Sequence, residues 1–365
     1  MSRSVRRGIA AAVLLLAAAS AMATVIVLDG PAVLLCEVSA GAVYTVDNGA
    51  LHPSRGLFSL YPPGQAPLAP RVAAPVQTAP GSLVRLYVSS ADALDSVALS
   101  LKAADGGEIS RATCFRVSVE GTRETWALLL GVPSDARLPS GTLQMRITAG
   151  ARSCVYLQPI ALLPRQFFSE RIPLTKELTH LVAVPDPRKT AESQALAHIL
   201  FSPHEDAVFE SGALAVPIPG ARRTSGYGDR REYDYSDKTS DLSIHQGVDL
   251  AAPIGSDVPS CGQGRVVFSG TRILTGNSVV IEHLPGVFSL YYHMSSLLVG
   301  VGDTVEKGQV IGKVGMTGFA TGPHLHWEVR VMGTAVDPDS LTETPLLDKE
   351  PVFQDIEGRE SAEGR

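Results

Sequence analysis

Residues 324–331 read His-Leu-His-Trp-Glu-Val-Arg-Val, a strict alternation of polar and apolar side chains. That period belongs to a half-buried strand, where side chains two residues apart share a face. His324 and His326 therefore point the same way, and Leu325, Trp327 and Val329 point into a core. Gly322 and Pro323 set a rigid turn into this strand. Upstream, His245-Gln246-Gly247-Val248-Asp249 puts an imidazole and a carboxylate on either side of a glycine. Tyr291-Tyr292-His293-Met294 adds another histidine at the end of a β-patterned run. Paired imidazoles on one strand face suit a metal, or one ligand beside one catalytic base. Imidazole and carboxylate are ordinary zinc donors, and three protein ligands with an open fourth position mark a catalytic site.

These motifs, with Gly276-Asn277-Ser278-Val279-Val280-Ile281-Glu282-His283 and the run Gly302 to Gly312, resemble the lysostaphin-type, or LytM-domain, zinc endopeptidases. Members of that family cut peptide bridges in bacterial peptidoglycan. The resemblance covers roughly residues 216–340. It implies zinc (Zn2+) as cofactor, His245, Asp249 and His326 as its ligands, and His293 and His324 as the catalytic pair beside it. It also implies that the Ser-x-Tyr-Gly-x-Arg stretch holding Tyr227 and Arg230 lines the substrate groove. Asn277, a turn residue after Gly276, and Tyr291, which alternation sets on the face of His293 and which suits packing equally well, are further groove candidates.

The chemistry follows from such a set. Zinc lowers the pKa of a water and polarises a carbonyl. One histidine accepts the water's proton and passes it to the leaving amine; the other donates to the developing oxyanion. The sequence does not assign the two roles. An alternative from another class is a non-catalytic envelope protein that binds peptidoglycan or activates a partner hydrolase.

The formal net charge of -6 lacks the basic balance that nucleic-acid binding needs. With 34 glycines and 25 prolines in 365 residues, short strands and turns are favoured over long helices. Arg3, Arg6 and Arg7 precede an apolar run from Gly8 to Leu28, the pattern of an export signal. Ala21-Met22-Ala23 offers a cleavage site; left uncut, the run serves as an inner-membrane anchor. Either way the expected location is the periplasm or the periplasmic face of the inner membrane. Cys114 and Cys154 are candidates for a disulfide or for two buried thiols, and Cys261 reads as a small core residue.

The expected architecture is mainly β. Residues 1–28 are the signal or anchor. Residues 30–163 carry short alternating strands between turn signals and suggest an immunoglobulin-like sandwich, a surface for envelope protein partners. Thr125 to Leu130 is a continuous apolar run, suited to a strand buried on both faces. Residues 164–214 are a linker, extended to 188 and then helical from Thr190, which caps it, to Phe201. Residues 215–341 form the antiparallel LytM-type sheet, and 342–365 an acidic disordered tail. A linker residue that blocks the metal would make the enzyme self-inhibited.

Overall fold

The computed structural model describes residues 66–348 except 67, 69 and 137–139, and the backbone of strands Met22–Asp29, Ala32–Ser39, Val43–Asp47 and Ala50–Tyr61. Residues 1–21, with the basic flank and most of the apolar leader, lie outside the described residues, as do 349–365 of the acidic tail. Among the described residues no helix is long and apolar enough to cross a membrane.

The chain is mostly strand, as the turn-rich composition leads one to expect. In the N-terminal part, two sheets pack face to face. One contains Arg152–Leu162, Ser140–Ala149 and Ser96–Lys102; the other runs Thr113–Glu120, Arg123–Gly131, Leu83–Ser90, Arg71–Ala73. Leu86, Val88, Leu128 and Leu130 of the second sheet meet Leu99, Leu101, Met145 and Ile147 of the first in one apolar cluster.

The apolar run at 125–130 finds its reason here. Alternation sends Leu128 and Leu130 into the sandwich, while Ala127 and Leu129 leave from the opposite face. That opposite face, with Leu83, Tyr87 and Phe115, packs on the C-terminal sheet against Val287, Val331, Ala335 and Val336. The N-terminal sandwich therefore shares a core with the C-terminal sheet.

Cys114 and Cys154 are both free thiols, so the disulfide alternative is not realised. The two belong to different sheets, Cys114 opposite Leu128 and Cys154 opposite Ile147. Burial pushes both thiols up to about 12.

The linker departs from expectation. Lys176–Ala183 is a helix capped by Thr175, in a stretch whose prolines suggested extended chain. Pro173 and Pro185 in fact bracket it. The second helix is Pro187–Leu200, and its cap stands four residues before the expected Thr190. Asp186 is the cap, accepting from the Arg188 amide, and Pro187 occupies the first turn, where its missing N–H costs nothing. Between 165 and 173 the linker also forms a strand, Ser169–Pro173, which joins Arg230–Asp234 in parallel.

The C-terminal sheet runs Arg222–Ser225, Val248–Ala251, His324–Val331, Val287–Met294, Gly276–Leu284, Gly264–Arg272. A three-stranded sheet of Ser169–Pro173, Arg230–Asp234 and Ser240–Ile244 stands beside it. The chain does not loosen at 342. Leu346 is fully buried; Arg85 donates to the carbonyls of Pro345 and Leu346, and the Asp348 amide donates to the Tyr87 hydroxyl at 2.6 Å.

Candidate active site

Strand register assembles the centre. Asp249 is opposite His326, and His326 is opposite Tyr292 on its other side. Ser225 is opposite Asp249. Residues in register share a face, so Ser225, Asp249, His326 and Tyr292 form a row across four strands. One residue along, Leu250 and Leu325 pair on the other face and enter the core. His245 reaches the row from the bend before Val248. Gly247 in that bend is obligatory: a Cβ there would lie 2.3 Å from the Trp327 carbonyl oxygen.

The polar atoms converge. His245 Nε2 lies 3.1 Å from Asp249 Oδ1 and 2.9 Å from His326 Nδ1, and His326 Nδ1 lies 2.9 Å from Asp249 Oδ1. Each ring's second nitrogen is already committed. His245 Nδ1 donates to the Gly226 carbonyl at 2.7 Å, an oxygen that can only accept. His326 Nε2 lies 2.9 Å from Glu328 Oε1, a carboxylate. The hydrogens therefore sit on the outer nitrogens, and two imidazole lone pairs and a carboxylate oxygen face one another. Such a triangle needs a cation at its centre. Ligand atoms of a tetrahedral zinc with bonds of about 2.0–2.1 Å stand roughly 3.3 Å apart, so the donor set fits a zinc-sized ion after slight expansion. Without one, a proton serves: burial opposes a charge on His326, but the Asp249 and Glu328 carboxylates outweigh it and push the pKa up to about 9. Burial also opposes the charge of Asp249, yet hydrogen bonds with His245 and His326 hold its carboxyl well below the usual range.

His324 and His293 flank the triangle. His324 Nδ1 donates to the Gly322 carbonyl at 2.8 Å, and its Nε2 lies 3.6 Å from Asp249 Oδ1. His293 Nδ1 donates to the Thr317 carbonyl at 2.8 Å. The two rings are 4.8 Å apart between centroids. Burial, then the neighbouring His324 and His326, push His293 down to about 3. All these rings line one cleft of about 410 Å3, walled by Ile172, Leu274, Tyr233 and Phe319. Tyr233 and Phe319 meet edge to face at 5.1 Å.

The four groove candidates fare differently. Tyr291 is fully buried, its hydroxyl bonded to the Cys261 amide and Ser289, away from the cleft. Tyr292 takes its place, stacked on His326 with centroids 5.3 Å apart and planes within 2°. The cause is His293, whose φ of +64° ends the alternation and turns its ring to the same side as Tyr292. Tyr227 is buried too, and its hydroxyl donates to the Ala335 carbonyl. Arg230 covers the Phe167 ring at 4.7 Å and donates to the Ser134 carbonyl. Asn277 ties off the carbonyls of Met294 and Ser295. None of Tyr227, Arg230, Asn277 and Tyr291 lines the cleft. The Ser225–Arg230 stretch acts instead from behind: its Gly226 carbonyl and Gly228 and Asp229 backbone hold His245.

Three residues that hold the centre were not among the expected site residues. Glu328 holds His326 and is itself held by Arg330 at 2.6 Å. Its place two residues after His326, on the same strand face, was a usable signal. Arg231 donates to Asp249 Oδ2 at 2.6 Å, and Glu170 accepts from Arg231 at 3.0 Å. Glu170 lies far away in sequence, and no local pattern points to it.

Residues 243–338 match the model of peptidase family M23. The DD-carboxypeptidase/endopeptidase Mpg of Neisseria meningitidis is 45% identical over 105 residues, 28% of this chain and 24% of the relative. The peptidoglycan DD-endopeptidase ShyB of Vibrio cholerae is 40% identical over 123 residues, 33% of this chain and 28% of the relative. The match thus spans about a quarter of the length of these curated relatives. Among solved structures, the catalytic domain of lysostaphin from Staphylococcus simulans is 32% identical, covering 34% of this chain and 93% of the domain with a TM-score of 0.30.

Proposed function

We propose that this chain, whose residues 243–338 match the model of peptidase family M23, is a zinc metalloendopeptidase of the bacterial envelope that hydrolyses peptide stems or cross-bridges of peptidoglycan. The observation that carries this reading is the triangle of His245, Asp249 and His326, whose three inward atoms are all acceptors. A purely binding protein has no need of that triangle with two further bare imidazole nitrogens beside it. The relatives named for DD-endopeptidase activity support peptidoglycan as substrate. The basic and apolar leader at 3–28 supports export, to the periplasm or to an anchored position facing it.

His245 Nε2, Asp249 Oδ1 and His326 Nδ1 would hold the metal. A zinc ion there supplies a Lewis acid that lowers the pKa of water and polarises the scissile carbonyl. The rest falls to the chain. With Nδ1–H fixed on the Gly322 carbonyl, His324 presents Nε2 toward the centre. It accepts the proton of the attacking water there. The same nitrogen, now an N–H, delivers that proton to the leaving amine. His293, kept neutral by its surroundings, presents an acceptor that orients the water. The aromatic and aliphatic walls of the cleft exclude bulk water and grip an extended peptide.

Treating the full chain with a chelator is expected to abolish release of new amino groups from isolated peptidoglycan, and added zinc to restore it. Release that persists without metal would rule the reading out.

A further inference from the structure

Glu170 belongs to the linker, more than seventy residues before the segment that matches the peptidase family. Its strand, Ser169–Pro173, pairs with Arg230–Asp234 so that Glu170 is opposite Arg231 and Ile172 opposite Tyr233. These residues share the face turned to the cleft, and Ile172 is one of its walls. Oε1 of Glu170 accepts from Arg231 Nε and from the Ser225 hydroxyl, both at 3.0 Å. Arg231 Nη2 then donates to Asp249 Oδ2 at 2.6 Å. Arg231 and Asp249 are largely shielded from solvent, with 14% and 9% of their side chains exposed.

We propose that Glu170 is a positioning residue for the metal centre, so that the linker strand completes the site. The inference rests on the zinc reading above. A guanidinium beside a carboxylate tends to engage both oxygens as a fork. Glu170 takes the Nε–H of Arg231, so the Nε–Nη2 edge is not offered whole to Asp249, and Arg231 reaches it through Nη2 at Oδ2. Oδ1 stays free to face His245 and His326. Without Glu170, Arg231 is free to swing its second N–H onto Oδ1 and compete with the cation. The carboxylate of Glu170 also offsets the Arg231 charge close to the metal position. Both effects weaken metal binding when Glu170 is lost.

The direction is opposite to that of a blocking linker. Among the described residues, no histidine, cysteine or acid of the linker joins His245, Asp249 and His326 in the ligand cluster. Glu170 is aimed at Arg231.

The test is the zinc dissociation constant of the full chain, measured by competition with a chromophoric chelator, for wild type, Glu170→Ala, Arg231→Ala and the double variant. Circular dichroism checks folding, and Glu170→Asp is the conservative control. Outer partners of metal ligands typically contribute 10–100-fold in affinity. Glu170→Ala is expected to weaken zinc binding about tenfold or more, with Glu170→Asp in between. In the Arg231→Ala background the same substitution is expected to change little, because its effect passes through Arg231. An unchanged constant for a folded Glu170→Ala protein overturns the proposal, and so does an effect of equal size in both backgrounds. Failure of wild type itself to bind zinc overturns instead the zinc reading on which it stands.

Discussion

Glu328 accepts from Nε2 of His326 at 2.9 Å, on the side of the ring away from the nitrogen that faces Asp249. The carboxylate fixes the tautomer, orients the ring and makes the inner nitrogen a better donor to a metal. Arg330 holds Glu328 from the other side, at 2.6 Å. Replacing Glu328 by Gln keeps the shape and removes the charge. The expected result is a 10–100-fold loss of zinc affinity, read as a smaller zinc-induced rise in melting temperature. A rise equal to that of wild type would contradict the role.

The two neighbouring tyrosines separate packing from catalysis. Tyr292 stacks on His326, so Tyr292→Ala is expected to lower kcat/KM at least tenfold, about 1.4 kcal/mol. Tyr291→Phe leaves the buried Cys261 amide without its acceptor. It is expected to cost about 1–3 kcal/mol of stability while leaving kcat/KM within twofold. Denaturant unfolding beside steady-state kinetics distinguishes them, and the reverse pattern would reinstate Tyr291 as the cleft residue.

Buried His283 sets a pH dependence of stability away from the metal. Burial pushes it down to about 4, and its ring is bonded to the Gln263 carbonyl and the Ser289 hydroxyl. Its folded pKa lies below the unfolded value of about 6.5, so the unfolded chain takes the proton first as pH falls. Its contribution to stability is complete above pH 6.5 and is lost progressively between 6.5 and 4, by on the order of 3 kcal/mol. Urea unfolding at pH 7 and pH 5 is expected to show a steeper loss in wild type than in His283→Gln. Parallel losses would place the pH dependence elsewhere.

The peptidase sheet does not stand apart from the sandwich. Ala127 and Leu129 pack against it, and Arg85 and Tyr87 hold residues 345–348. A fragment starting at residue 205 would expose that shared apolar face and would also lack Glu170. It is expected to melt below the full chain and to bind zinc more weakly, as calorimetry and chelator competition would show. A fragment of equal melting temperature would mean that the shared core contributes nothing to its stability.

Local patterns made much of this legible. Alternation marked His324–Val331 to the residue and put His324 and His326 on one face. The run at 125–130 announced a strand buried on both sides. Sequence reading failed where the answer lay in a partner. Tyr291 was placed on the wrong side because the positive φ of His293 is invisible in the residue types. Arg230 and Arg231 are neighbours with opposite fates, decided by which face of their strand meets the cleft. Glu170 reaches the centre only through a parallel pairing across some sixty residues. The helix Lys176–Ala183 was missed because the prolines that bound it looked like signs of extended chain.

In the function proposed above, the His245, Asp249 and His326 centre, with His324 as proton carrier, cuts peptides of peptidoglycan. The direct measurement is mass spectrometry of purified peptidoglycan digested by the zinc-loaded full chain, beside His245→Ala and His324→Ala. Peptide products are expected from the wild type, and none above background from either folded variant. Products that survive both substitutions, or none from a folded, zinc-loaded wild type on several wall types, would contradict it.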